Sequence, residues 1–78
     1  MELLNIVGNG AMASDLAEIY ISNIYGEKTA KTQKPYAINE KLGCWEVKGV
    51  IKKVRLGGVF EIHISKNDGR VLFLEHSK

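Results

Sequence analysis

The side chains with imidazole or thiol groups are few: His63, His76 and Cys44 in a chain of 78 residues. They fall on separate expected strands with no short-range spacing. A structural zinc site needs four such ligands, usually in closely spaced pairs. No metal site is therefore expected. Cys44 sits beside Trp45 with nothing near it in sequence to lower its pKa, so no thiol nucleophile is expected either. Glu46, Glu61 and Glu75 alternate with Lys48 and His63 along strands, a pattern of cross-strand charge pairing rather than of a general acid and base. Gly57-Gly58 is the one glycine pair. A phosphate-binding loop places a helix after its glycines, whereas a strand follows here. The pair is read as a bulge or kink that lets a sheet curl. No catalytic constellation and no cofactor emerge, and the chain is not expected to be an enzyme.

The elements that must position these residues belong to a single domain. The charged fraction of 26% and hydrophobic fraction of 45% are those of a globular chain. A formal net charge of +2 is too small to argue for nucleic acid. Lys52, Lys53 and Arg55 form only a short basic stretch. One cysteine excludes an internal disulfide. Leu3, Leu4, Ile6 and Val7 are too short a run for a signal peptide. No stretch approaches the roughly 20 apolar residues of a membrane span. The expected location is cytoplasmic, with no membrane partner.

Residues 1–10 read as an arm ending in Gly8-Asn9-Gly10. Over residues 11–25 the apolar positions Ala13, Leu16, Ala17, Tyr20, Ile21 and Ile24 recur at helical spacing. Asn9 or Ser14 is the candidate cap, and Gly26 the stop, in a left-handed conformation. Residues 27–34 are polar and read as a connection. The sheet is expected over residues 35–78. Tyr36 and Ile38 mark a short edge strand, and Glu40 to Gly43 a turn. In the strand over 44–51, Trp45, Val47 and Ile51 share one face with Gly49, which leaves room for a bulky side chain. Phe60, Ile62 and Ile64 alternate with Val59, Glu61 and His63. Asn67-Asp68-Gly69 signals a hairpin into a last strand over 70–76. The fold class is α+β: one amphipathic helix packed on a four-stranded antiparallel meander.

One helix cannot cover both faces of a sheet. If Trp45, Val47, Phe60 and Ile62 face the helix, the other face carries Val50, Val59, Val71 and Phe73. Glu46, Lys48, Glu61, His63 and Glu75 surround them. An apolar patch within a charged surround marks a protein interface. Val50, Val59, Glu61, His63 and Phe73 are the candidate partner-binding residues, for another protein or for a second copy in a homodimer.

Six short motifs in register carry a resemblance over residues 16–78. They are Ile24-Tyr25-Gly26, Lys34-Pro35, Trp45-Glu46-Val47-Lys48-Gly49, Gly57-Gly58, Lys66 to Val71, and His76-Ser77-Lys78. In this order the chain resembles the immunity proteins of bacterial polymorphic toxin systems with a nuclear-transport-factor-2-like fold. The family's usual Thr-Leu-Pro after its tryptophan strand is replaced by Val50-Ile51-Lys52-Lys53. The resemblance implies a reduced version of that cone-shaped fold. It also implies a non-enzymatic immunity protein whose partner is a cognate toxin domain, neutralised by stoichiometric contact. The alternative reading is a small ligand-binding or peptidase-inhibitory module of similar helix-plus-meander pattern.

Overall fold

A computed structural model describes residues 5–51 and 58–76. The elements in chain order are α1 (Gly10–Tyr25), α2 (Glu27–Thr32), β1 (Ala37–Lys41), β2 (Cys44–Lys48), β3 (Phe60–Ser65) and β4 (Val71–His76). The four strands form one antiparallel sheet in the order β1-β2-β3-β4. The expected α+β architecture, a helix on a four-stranded meander, is the one observed. Gly57 and the basic residues Lys52, Lys53 and Arg55 lie outside the described residues.

Helix α1 starts where Asn9 turns the chain from extended to helical. Its carboxamide oxygen accepts from the Met12 N–H at 2.9 Å, which satisfies one of the donors a helix start leaves open. Asp15 and Glu18 sit beyond the first turn, too far along to complement the positive end of the helix dipole. Ala13, Ala17 and Ile21 are fully buried, with Leu16 and Tyr20 packed at their edge. Ile24 departs from the stripe and is 48% exposed. Gly26 ends the helix at positive φ with an extended ψ (102°, 152°), not in the left-handed cap geometry. Its N–H bonds Ser22 O at 3.0 Å, and its carbonyl accepts from Ala30 N at 3.2 Å. The chain therefore turns directly into α2, which replaces the connection expected over 27–34. Six polar-looking residues, Glu27 to Thr32, give little periodic signal. Tertiary packing of Ala30 decides their conformation.

The core lies between the helices and one face of the sheet. Val47, Phe60, Ile62 and Ile64 are fully buried and Trp45 nearly so, which confirms the face expected from alternation. Each such side chain contributes about 1.5–3 kcal/mol when fully buried. Trp45 donates its indole N–H to Val7 O at 2.9 Å. Val7 in turn donates to Lys66 O at 3.0 Å, so this buried residue of the arm is tied to the β3-β4 hairpin. Tyr36 packs edge-on against Phe60, with ring centroids 4.9 Å apart, and donates its hydroxyl to Ala30 O at 2.5 Å. Burial pushes the Tyr36 phenol up to about 12, helped by the nearby charge of Glu18.

The space expected beside Gly49 is occupied. A Cβ built there would run into the Gln33 side chain, whose own Cβ lies 2.9 Å away. Gln33 Oε1 accepts from Phe60 N at 3.1 Å, and Gln33 O accepts from Val50 N at 2.9 Å. These bonds dock the end of α2 onto the exit of β2. Strand β2 therefore stops at Lys48, and the expected run to Ile51 is shortened. Gly69 adopts φ 77° in the β3-β4 turn. Its N–H bonds Ser65 O at 2.9 Å, and its carbonyl accepts the Tyr20 hydroxyl at 2.6 Å, which pins the turn to α1.

Candidate binding face

The sheet face opposite the helices is built by period-two alternation from β2, β3 and β4. Glu46 stands directly across from His63, Lys48 from Glu61, His63 from Phe73, and Glu61 from Glu75. His63 Nε2 lies 2.7 Å from Glu61 Oε2 and 3.8 Å from Glu46 Oε2. Lys48 Nζ lies 3.8 Å from the other oxygen of Glu61. The Phe73 ring is tilted against the His63 imidazole at a centroid distance of 4.7 Å. His63, Glu46 and Glu61 are half-buried, while Phe73 is 41% exposed. The result is a row of charged and imidazole groups with an aromatic at one end.

Three of the five candidate partner-binding residues, Glu61, His63 and Phe73, are brought together here. Val59 precedes β3 and is half-buried. Val50 is not on the strand face: β2 has already ended, its backbone is bonded to Gln33, and its side chain is half-buried. Val71 was expected beside Phe73 but lies on the helix side, opposite Ile64 and packed against the core. The cause is a register shift between His63 and Ile64, where Leu72 is the extra residue of β4. An added residue reverses parity for whatever lies beyond it. Val71 and Phe73 therefore point to opposite faces although they are two apart. The apolar part of the patch is consequently Phe73 with Leu72, which is 50% exposed, rather than a cluster of valines.

Glu46 was read as a member of the charged surround. The structure makes it a partner of His63, and together with Glu61 it forms a group of three ligand atoms that all lie within 4.8 Å of one another. That grouping was open to recognition only once the β2-β3 register was known, and the long connection between Lys48 and Phe60 hides the register from the sequence. Cys44 remains half-buried at the start of β2 as a free thiol. His76 is remote from His63 and lies against Tyr25, with ring centroids 5.0 Å apart. Among the described residues no helix is long and apolar enough to cross a membrane.

Among the described residues, the helices cover one face of the antiparallel sheet and leave the face that carries Glu46, Glu61, His63 and Phe73 uncovered. The model of the NTF2 fold immunity proteins matches residues 12–78, and the chain belongs to that family. It is 49% identical over 75 residues to the uncharacterized protein YhhH of Escherichia coli (strain K12). It is 45% identical over 75 residues to the uncharacterized protein YbbC of the same organism. Each match covers 95% of this chain but only 59% and 62% of those relatives, so the chain spans about six-tenths of their length. No solved structure gives a significant match.

Proposed function

We propose that this chain is a non-enzymatic immunity protein that binds a cognate toxin domain of a bacterial polymorphic toxin system and neutralises it by stoichiometric contact in the cytoplasm. Membership of an immunity-protein family carries the reading. The bare face of the sheet supplies the surface. Phe73 and Leu72 offer apolar anchors, Glu46, Lys48 and Glu61 offer charges, and His63 offers an imidazole, which together set register and reject wrong partners. A half-buried charge row costs little to desolvate further when a partner supplies matching groups, and costs several kcal/mol when it does not. Selectivity of that kind suits an antidote that must recognise one toxin.

The test is co-expression with a candidate toxin domain, sought first in the product of the neighbouring gene. The chain should restore growth and co-purify with the toxin as a 1:1 complex by light scattering. Toxicity unaffected by the chain would refute the immunity reading. A complex that forms while the toxin stays active would refute neutralisation by direct contact.

A further inference from the structure

We infer that Glu46, Glu61 and His63 form a binding site for a divalent cation of the zinc class on the outer face of the sheet. The donor set is one imidazole nitrogen and two carboxylates, the mixture that zinc accepts when three protein ligands leave a fourth position open. The geometry is close to what the ion requires. Tetrahedral zinc with bonds of about 2.0–2.1 Å holds its ligand atoms about 3.3 Å apart. His63 Nε2 stands 2.7 Å from Glu61 Oε2 and 3.8 Å from Glu46 Oε2, so the required values are bracketed. All three ligand atoms lie within 4.8 Å of one another. Zinc would take the place of the direct contact between His63 Nε2 and Glu61 Oε2.

The site is carried on paired strands rather than loops. Glu46 and His63 are direct cross-strand partners, and Glu61 is two residues from His63 on the same face of β3. The Phe73 ring lies against the imidazole and limits its rotation. A separate feature of the sheet also favours a cation here. Glu61 stands directly opposite Glu75, an arrangement of like charges that destabilises a sheet. Lys48 approaches Glu61 only to 3.8 Å. A divalent ion bound to Glu61 would offset that repulsion. Three protein ligands leave a fourth position, which water or a partner's side chain would fill.

The experiment is titration of the isolated chain with zinc chloride by calorimetry, in a buffer that does not chelate. One ion per chain is expected, with loss of binding on adding EDTA. His63→Ala and Glu46→Gln should each weaken binding at least about tenfold, while His76→Ala leaves it unchanged. In the unaltered protein, cobalt(II) should broaden the amide signals of Glu46, Glu61 and His63 before any others, which locates the ion without a variant. Absence of zinc binding overturns the inference. So does binding that survives His63→Ala, or broadening centred on His76 or Cys44. The toxin plays no part in these measurements, so their failure and the failure of the immunity reading are distinguishable.

Discussion

Trp45 is the residue on which most of the sheet's attachment depends. Its ring is buried, its N–H bonds Val7 O, and the Lys66 ammonium lies over it at 5.1 Å. Trp45→Ala removes packing, an arm contact and a cation–π contact together. We expect a loss of about 3–5 kcal/mol in urea denaturation, which for a domain of this size approaches the whole stability. A midpoint close to that of the unaltered protein would place Trp45 outside the core. Tyr36 gives a prediction of a different kind. Its phenol is raised from 10.0 to about 12 in the folded chain. A raised phenol binds its proton more tightly in the folded than in the unfolded state. The stability it contributes is therefore complete below pH 10 and is lost as pH rises through about 12. Absorbance at the tyrosinate band should show one of the three tyrosines ionising only as the chain unfolds, and Tyr36→Phe should abolish that late component. Glu18 behaves oppositely. The hydrogen bond from Lys34 holds its carboxyl below the usual range, so its contribution is present above the ordinary carboxylate pKa and is lost on acidification through the lowered value. Its exposure to solvent keeps that contribution small.

At the scale of elements, helix α1 and the alternation of β2 and β3 were legible because their periods are long and regular. Ala13, Ala17 and Ile21, like Trp45, Val47, Phe60, Ile62 and Ile64, are where a period of 3.6 or 2 places them. Helix α2 was not legible, since its six residues bury only Ala30 and its place is set by Gln33 and Tyr36 reaching partners far along the chain. The bulge at Leu72 was invisible for another reason. Alternation reports parity along one strand, whereas a bulge is a property of two strands paired. It cost the reading Val71 but left Phe73 on the expected face. The β3-β4 turn provides the element-scale test. Gly69 has φ 77°, and a Cβ there would meet Leu16 and Val7 at 3.7 Å each, which is ordinary contact. Strain, not space, therefore opposes substitution. Gly69→Val should cost about 1–3 kcal/mol, and hydrogen exchange should show β4 opening before α1. Unchanged exchange in β4 would mean the turn tolerates the substitution by changing type.

For the whole molecule, the division of labour follows from having one helical layer and two sheet faces. Helices α1 and α2 consume the face that carries Trp45 and Phe60. The other face is left to the half-buried row of Glu46, Glu61 and His63 and to Phe73. Family membership says what kind of protein this is; that the uncovered face makes the contact is the proposal tested below. Of the candidate face, Glu61, His63 and Phe73 were legible in the sequence by alternation. Glu46 was recognised there only as a neighbouring charge, because its role depends on which residue it faces across the strands. The central claim is that this face holds the toxin. Calorimetric titration of the toxin domain with the double variant Glu61→Lys, Phe73→Ser tests it most directly, with circular dichroism confirming that the variant folds. Phe73 is 41% exposed and Glu61 half-buried beside Lys48 and His63, so only a variant whose circular dichroism matches the unaltered chain enters the comparison. Loss of one central anchor typically costs 2 kcal/mol or more, so affinity should fall at least about thirtyfold and growth protection should be lost with it. A folded double variant that binds the toxin as tightly as the unaltered chain would contradict the account.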